Sequence, residues 1–190
     1  MPLFYRRSGK DNPTRHWVGD TRFILEFDCA THSLSGVRPG GFIDPLAPLG
    51  PAESPPEGRA DALTWYRQGI EVQCDDGGTV AAIRMVWRGD DGFAPFRGTF
   101  RRGDERLAIG PETTEGDLET LLGPPYWRDQ DEDEVLLFYE LGPVEWQIGL
   151  TCAGLLAEWT VCTPPMMADE AQRRAYGVTT PWPPPVAPRG

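Results

Sequence analysis

Several short stretches of the chain alternate between hydrophobic and polar residues, which is the pattern of β-strands with one buried face. In stretch 144–150, Val, Trp, Ile and Leu occupy every second position and are separated by Glu, Gln and Gly. One face of this strand is therefore expected to be buried and the other to face water. Comparable patterns predict further strands at 22–28, 31–37, 62–68, 69–74, 79–88, 93–100, 105–109, 134–141 and 154–162.

One stretch has the spacing of an amphipathic helix instead. Leu118, Leu121 and Leu122 recur at the i, i+3 and i+4 positions that bring side chains to one helix face. Thr114 precedes Asp117 by three positions, which approximates the capping box that begins many helices. A Gly-Pro-Pro sequence follows the last leucine and is expected to end the helix, because proline cannot continue it.

The chain repeats part of itself at a constant offset of 73 residues, so that Phe23 aligns with Phe96. The other identical pairs are Phe27 and Phe100, Leu34 and Leu107, Asp44 and Asp117, Leu49-Gly50-Pro51 and Leu122-Gly123-Pro124, Leu63 and Leu136, Tyr66 and Tyr139, and Gly69 and Gly142. Such self-similarity indicates an internal duplication. We therefore predict an α+β fold of two tandem repeats, each a hairpin, a short helix and three antiparallel strands, which together form a curved, largely antiparallel sheet.

The duplication divides the chain into four parts that we expect to form one compact domain. They are an N-terminal extension at 1–19, repeat unit 1 at 20–90, repeat unit 2 at 91–162, and a short helix with a Pro-rich tail at 163–190. In repeat unit 1, Pro45 and Pro48 limit the helix to a short or 3₁₀ segment.

The tail leaves three interpretations open. Residues 169–176 are expected to form its helix, and the sequence TPWPPPVAPRG follows at 180–190. This Pro-rich sequence either stays poorly ordered, or docks Trp182 on the body of the protein, or offers a Pro-x-x-Pro motif to a partner.

The order of these elements resembles a known tandem repeat. A short helix, a Leu-Gly-Pro-Pro stop, a polar loop and a Leu-x-x-Tyr strand followed by antiparallel strands are similar to the repeat of the beta-lactamase inhibitor protein and of the related outer-membrane assembly lipoproteins of the SmpA-OmlA type. The resemblance covers about residues 20–162. It implies a curved antiparallel sheet with helices behind it and an exposed concave face that binds protein.

The chain also departs from that family. It shows no signal peptide, no lipidated cysteine near its start and no obvious disulfide pair, and prolines interrupt the first helix. Localisation and target therefore do not carry over from the resemblance.

Negative charge is concentrated in repeat unit 2. The whole chain has a formal net charge of −11. Between Glu112 and Thr160 the sequence contains one basic residue, Arg128, and these acids: Glu112, Glu115, Asp117, Glu119, Asp129, Asp131, Glu132, Asp133, Glu134, Glu140, Glu145 and Glu158. Such a surface repels nucleic-acid phosphates and attracts a basic protein, although acidic loops also serve solubility alone. We predict a basic protein partner and no nucleic acid.

The sequence contains no stretch of about 18 apolar residues, the length a membrane-spanning helix requires. Near the start, Leu3, Phe4 and Tyr5 are followed at once by charged residues, which does not resemble a secretory signal. We therefore expect a cytoplasmic protein without membrane association.

Residues that commonly carry catalysis or bind metals are sparse. His16 and His32 are the two histidines, both expected at the surface and neither near a nucleophile motif. The acidic run 129–134 lacks the glycine and the frame of a calcium loop, and the Gly-rich run 38–41 lacks the lysine of a phosphate loop. The four cysteines lack metal-ligand spacing and are expected to be free thiols. We expect no enzyme activity, no cofactor and no metal.

Aromatic and acidic residues adjoin in repeat unit 2, and this combination is typical of a protein interface for a basic partner. The candidate partner-binding residues are Tyr126, Trp127, Asp129, Asp131, Glu132, Asp133 and Glu134. The competing interpretation is that both aromatic side chains lie under the loop. Trp65, Trp87, Trp146 and Trp159 lie on predicted strands and are expected in the core.

The sequence thus favours an acidic protein-binding module, most concretely an immunity or inhibitor protein that occludes a basic toxin or enzyme. The alternative is a small-ligand-binding or envelope-assembly module that uses the curved sheet without catalysis. A buried pocket with convergent polar groups would favour the alternative, and an open aromatic and acidic surface would favour the inhibitor.

Overall fold

The computed structural model of the protein describes residues 12–53, 62–75, 77–89 and 92–183. Within these residues the fold is α+β, as predicted, and eleven strands form two sheets. The strands are β1 (Glu26–Asp28), β2 (Ser33–Leu34), β3 (Ala62–Trp65), β4 (Ile70–Cys74), β5 (Val80–Val86), β6 (Thr99–Arg102), β7 (Glu105–Leu107), β8 (Trp127–Gln130), β9 (Glu134–Leu141), β10 (Val144–Thr151) and β11 (Leu156–Cys162). The α-helices are α1 (Glu115–Leu122) and α2 (Glu170–Ala175).

The larger sheet has seven strands in the order β3-β4-β5-β11-β10-β9-β8, and every neighbouring pair is antiparallel. The last strand of each repeat unit, β5 and β11, pairs with the other at the junction of the two units, where Ile83 lies opposite Val161. The sheet therefore continues without interruption from one unit into the other.

The smaller sheet has four strands in the order β2-β1-β6-β7 and joins the two predicted hairpins. Strands β1 and β6 are parallel, with Phe27 opposite Phe100, whereas the two hairpin pairs are antiparallel. The two phenylalanines that the sequence offset aligns are thus direct neighbours in the sheet.

The hydrophobic core lies between the small sheet and one face of the large sheet, here called the inner face. Phe100 packs on Trp159 with ring centroids 5.1 Å apart, and Phe27 packs on Trp146 at 6.0 Å. All four tryptophans predicted on strands are buried, and Trp159 is 0% exposed. Aromatic pairs at this spacing add to the stability that burial of their apolar area provides.

Helix α1 begins and ends at the predicted residues. The Thr114 hydroxyl accepts the Asp117 N–H, and the Asp117 carboxylate accepts the Thr114 N–H, which completes the capping box. The corresponding segment of repeat unit 1, Asp44–Leu49, is a 3₁₀-helix with proline inside, as expected.

The two units share the turn that follows these helices. Gly50 has φ 79° and ψ −170°, and Gly123 has φ 85° and ψ −178°. The Trp65 indole N–H donates to the Gly50 carbonyl at 3.1 Å, and the Tyr139 hydroxyl donates to the Gly123 carbonyl at 3.2 Å. The structural counterpart of Tyr139 is therefore Trp65. The predicted equivalence with Tyr66 is wrong by one residue, because the spacing between turn and strand differs between the units.

The sequence pattern missed one strand. Repeat unit 2 has four strands after its helix and not three. The additional strand, β8, lies in the segment predicted to be a polar loop. Its sequence, WRDQ, shows no hydrophobic alternation. The matching stretch of repeat unit 1, 54–61, lies outside the described residues, as do Leu3, Phe4 and Tyr5.

The prediction that the second face of β10 is wet is also wrong. Glu145 and Gly149 on this outer face are buried, and Glu145 is 0% exposed. Residues 163–183, called the C-terminal segment below, lie over the face, and Met167 is fully buried there. Its helix α2 confirms the predicted 169–176 helix and is capped by Asp169.

In the described part of the chain, no helix combines the length and the apolar character needed to cross a membrane. Cys29, Cys74, Cys152 and Cys162 are free thiols, as expected.

Candidate partner-binding face

The acidic residues predicted to bind a partner form the tip of the β8–β9 hairpin. Asp131 shapes this tip, because its Oδ1 atom accepts the N–H groups of Asp133 at 2.8 Å and Glu134 at 3.0 Å. Asp131, Glu132, Asp133 and Glu134 are exposed, and Asp129 is half-buried. A side chain that bonds to the backbone two and three residues later holds a turn in one conformation. The carboxylates are therefore presented on a defined turn at the end of two strands.

The carboxylates of the tip influence one another's ionisation. The backbone N–H groups of Asp133 and Glu134 hold the pKa of Asp131 below its ordinary value. The pKa of Glu134 is raised, first by partial burial and then by the charges of Glu158, Asp131, Asp133 and Asp129. The part of this rise that comes from neighbouring carboxylates would be relieved by a cation.

Arg128, the one base in this part of the sequence, is committed elsewhere. Its guanidinium forms an ion pair with Glu115 at the start of α1, with N–O distances of 2.6 and 3.2 Å. This pairing raises the pKa of Arg128. Because Arg128 follows Trp127 and precedes Asp129, alternation along β8 turns it toward the helix side of the sheet. The charge of Arg128 therefore serves the contact between β8 and α1.

Tyr126 does not present a free side chain. Its hydroxyl accepts a hydrogen bond from Arg173 Nη1 at 2.6 Å and donates to the Pro181 carbonyl at 2.8 Å. The Trp182 ring packs edge-on against it, with centroids 6.0 Å apart. Of the two interpretations of Trp182 that concern this chain alone, the structure supports docking on the body. Residues 184–190 lie outside the described part.

Trp127 is half-buried on the outer face, at the edge strand of the sheet. Its Nε1 atom is buried and has no hydrogen-bond acceptor among the described residues. It lies in register with Phe138 of β9, and the Phe138 ring packs on Tyr176 of the C-terminal segment at 6.4 Å. Both predicted aromatic residues therefore lie beside the C-terminal segment and not under the acidic tip.

A pair of glutamates lies further along the outer face. Glu140 of β9 and Glu145 of β10 are directly opposite one another. The pKa of Glu140 is raised to about 8, first by burial and then by the hydrogen bond and charge of Glu145, whereas Arg173 lowers it. Neither Glu140 oxygen receives a donor from another described group. When it is protonated, however, the Glu140 carboxyl can donate to Glu145. The raised pKa favours the protonated form of Glu140 beside the buried Glu145.

Glu145 also anchors the C-terminal segment. Its Oε2 accepts the backbone N–H of Met167 at 3.0 Å, and its Oε1 accepts Gln147 Nε2 at 2.6 Å. Burial and the Glu145 charge raise the pKa of the nearby Cys162 thiol to about 12, so this thiol is not a reactive nucleophile.

The sequence indicated the acidic tip but not four residues of the outer face and the segment over it: Glu140, Glu145, Met167 and Arg173. Glu140 and Glu145 were visible only as two more acids in an acidic stretch. A glutamate within an alternating strand, at a position predicted to face water, gave no sign of burial. Arg173 lies 47 positions from Tyr126, and no local pattern links them.

Features that would favour a small ligand or catalysis are weak in the described residues. A shallow, open depression of about 330 Å³ is lined by Ala108, Gly110, Pro111, Glu112, Thr113 and Asp117. Two of these side chains already serve local structure, since Thr113 accepts the Gly110 N–H and Asp117 caps α1. In the described part of the chain, no three His, Cys, Asp or Glu residues are grouped so that they could hold a metal ion.

The two histidines differ in environment. His16 is exposed, as expected. His32 is half-buried, contrary to expectation, and packs edge-on against Trp146 at 5.4 Å. Burial lowers its pKa, and its Nδ1 atom is buried without a partner among the described residues.

Comparisons with known proteins show no family for the chain. No family model matches the sequence, and no curated protein matches it. Among solved structures, the chain is similar to the crystal structure of a DUF4309 family protein (YjgB) from Bacillus subtilis subsp. subtilis str. 168, with 17% identity and a TM-score of 0.48. The match covers 68% of this chain and 84% of that chain. A likeness of this degree carries no argument about function, so the candidate face is judged by its own geometry.

Proposed function

We propose that the protein is an acidic protein-binding module, most concretely an immunity or inhibitor protein that occludes a basic toxin or enzyme. The observation that carries this proposal is the hairpin tip, on which Asp131, Glu132, Asp133 and Glu134 are exposed and Asp129 is half-buried. The nearest base in sequence, Arg128, is paired with Glu115. The tip therefore carries negative charge that the hairpin itself does not neutralise.

The conformation of the tip supports a binding role. Asp131 fixes the turn through two backbone hydrogen bonds, so the neighbouring carboxylates need little ordering when a partner arrives. A binding surface that is already ordered loses less conformational entropy on association. The like-charge crowding that raises the pKa of Glu134 is also relieved when a cation approaches.

The expected mechanism is electrostatic capture followed by steric occlusion. A concentrated negative tip accelerates the encounter with a positive surface and orients it, and salt screens this attraction over about 10 Å at 0.1 M. Once bound, the body of the protein would cover the basic surface that its target needs. This mechanism requires no chemistry from the module, and we propose that it acts without catalysis. The cytoplasmic location and the resemblance to the beta-lactamase inhibitor repeat remain predictions.

The test compares two variants with the same change in charge. The tip variant carries Asp129→Asn, Glu132→Gln and Asp133→Asn and keeps Asp131, whose side chain holds the turn. The control variant carries Asp44→Asn, Asp104→Asn and Glu105→Gln, three exposed acids outside the hairpin. Affinity capture from the native host with all three proteins, followed by mass spectrometry, identifies proteins that the tip variant fails to retain.

Association kinetics with a protein so identified then decide the matter. We expect the tip variant to associate about 10-fold to 100-fold more slowly at low salt, and the control variant to associate nearly as fast as the natural protein. The difference should shrink as salt is added, because the effect is electrostatic. Equal association rates for the two variants would mean that the tip is not the contact.

A further inference from the structure

The C-terminal segment covers Tyr126 and the Phe138 ring beside Trp127, and this cover has two parts. The first part is firmly held, because Met167 is fully buried and its N–H donates to the buried Glu145 carboxylate at 3.0 Å. The second part, residues 169–183, lies on the surface. Its helix α2 has six residues, none of them buried.

The contacts that hold the second part are few. Arg173 donates to the Tyr126 hydroxyl and to the Thr180 carbonyl, and Tyr126 donates to the Pro181 carbonyl. Trp182 rests edge-on against Tyr126 and remains 38% exposed. Apart from the packing of Tyr176 on Phe138, this attachment therefore passes mainly through Tyr126.

The face beneath is left with unmet hydrogen-bonding capacity. The Trp127 indole N–H is buried without an acceptor, and both Glu140 oxygens are buried without a donor from the described residues. Buried polar groups are normally paired, and leaving them unpaired has a cost in free energy. Protonation of Glu140 toward Glu145 reduces that cost, but it also removes the negative charge that could attract a cation. The C-terminal segment is thus an imperfect occupant of this face.

The missing groups define a better occupant. A guanidinium or ammonium group would supply the donor and the charge that Glu140 lacks, and a backbone carbonyl would supply the acceptor that Trp127 lacks. The part that now covers the face already offers a guanidinium, from Arg173, and an aromatic ring, from Trp182, to Tyr126. A basic partner of the kind proposed above carries the same groups and could place them more deeply.

We propose that residues 169–183 form a displaceable cover over a second part of the binding face, and that a basic segment of the partner replaces it by engaging Tyr126, Trp127 and Glu140. The chemistry of the partner in this proposal rests on the proposed function. The displacement of the cover does not, since it is a property of this chain alone.

Hydrogen exchange of the tryptophan indole N–H groups, followed by NMR on the full chain, tests whether the cover lifts. Trp127 reports on the covered face, and Trp159, which is 0% exposed in the core, is the internal reference. In the natural protein we expect the Trp127 indole to exchange at least about 10-fold faster than that of Trp159, because local opening precedes global unfolding.

Arg173→Ala and Arg174→Ala form a matched pair on the same helix. Arg173 contacts Tyr126, whereas Arg174 pairs with the exposed Glu170 four residues earlier. We expect Arg173→Ala to accelerate Trp127 exchange about 10-fold further and Arg174→Ala to leave it unchanged, with Trp159 unaffected in both. Trp182→Ala, which removes only a partly exposed ring, provides a second way to weaken the cover if Arg173→Ala does not fold.

A synthetic peptide of residues 169–183 then serves as a probe of the vacated face. Folded Arg173→Ala protein should bind this peptide at least about 10-fold more tightly than the natural protein or Arg174→Ala does, and adding Tyr126→Phe to Arg173→Ala should reverse the gain. Exchange of Trp127 at the rate of Trp159 in every variant, or equal peptide binding by the two arginine variants, would overturn the displaceable cover. Either result would leave the acidic tip, tested by association kinetics, unaffected.

Discussion

The two repeat units share an inner face but differ on the outer face of the same sheet. In unit 1, Arg84 of β5 reaches across the junction to Glu158 at 2.5 Å, and the Phe93 ring lies 5.6 Å from its guanidinium carbon. In unit 2, the outer face carries the carboxyl pair of Glu140 and Glu145, and the C-terminal segment lies over it. The inner face in both units is lined with aliphatic and aromatic side chains that form one core.

This contrast separates what the duplication preserved from what was added to one copy. Equivalent parts stabilise the fold. At Gly50 and Gly123, for example, the turn carbonyl accepts a hydrogen bond from a side chain of a following strand. The acidic tip lies in unit 2, the C-terminal segment follows unit 2 in the chain, and both contribute little to the core. We therefore locate the proposed function in the tip and the C-terminal segment, and the predictions below test how far the two units are equivalent.

The largest expected effect comes from two glycines that the sequence offset aligns. Gly69 and Gly142 both have φ of 70°, so alanine at either position costs about 1–2 kcal/mol of backbone strain. A Cβ at position 69 would also lie 2.5 Å from Phe96 N, whereas nothing lies within 4 Å of a Cβ at position 142. Because overpacking typically costs about 1–3 kcal/mol more, we expect Gly69→Ala to lower the free energy of unfolding by about 3 kcal/mol and Gly142→Ala by about 1 kcal/mol.

Urea unfolding of both variants measures these losses. Similar losses at the two positions would show that the backbone of residues 94–96 yields easily, and that the turns of the two units are packed alike.

The next effect concerns the dependence of stability on pH. Because the pKa of Glu140 is raised to about 8, the folded protein binds a proton between about pH 4.5 and pH 8 that the unfolded chain has already released. Stability should therefore fall as pH rises through this range and level off above it. Cys162, with a pKa of about 12, stays protonated over this range.

Glu140→Gln removes this titration and keeps the shape of the side chain. We expect the variant to match the natural protein near pH 5 and to be more stable by roughly 1–2 kcal/mol at pH 9, a value reduced from the full linkage because Glu140 is only partly buried. Thermal unfolding from pH 5 to pH 9 measures the difference. Parallel pH profiles for the two proteins would show that Glu140 is ionised at neutral pH.

The smallest effect tests the turn that both units share. Tyr139→Phe removes the hydrogen bond to the Gly123 carbonyl and should cost about 1 kcal/mol, the usual value of one such bond. Tyr176→Phe, which alters an exposed side chain, serves as the control and should change stability by less than about 0.5 kcal/mol. If the two variants are equally stable in urea, the bond from Tyr139 does not secure the turn.

The sequence was most informative where local chemistry decides the structure. The capping box of Thr114 and Asp117 and the prolines of Asp44–Leu49 act within a few residues, and both outcomes matched expectation. Alternation identified the strands of the inner face, because a side chain at every second position must reach the core. The acidic tip could also be predicted, because a run of acidic residues is visible in the sequence without knowledge of the fold.

Long-range contacts account for what the sequence did not reveal. The outer face of β10 has the alternation of a solvated strand. Met167, which covers this face at Glu145, lies 22 residues further along the chain, so no local pattern indicates the cover. Strand β8 was missed because an edge strand pairs on one side only and tolerates polar residues. The constant offset of 73 residues pairs Tyr139 with Tyr66 and not with Trp65, because the spacing between turn and strand differs by one residue between the units.

The pairing of β5 with β11 also bears on how such a chain could arise. Either unit alone would end in a seven-residue strand with unpaired backbone groups along one side. Such an edge recruits another strand, and a second copy of the same unit could pair with it as β5 now pairs with β11. Fusion of two copies turns an association that depends on protein concentration into a permanent one. In a fused chain each copy can then change independently. Two identical subunits would both carry the acidic tip or both lack it, whereas the fused chain can carry it in one copy.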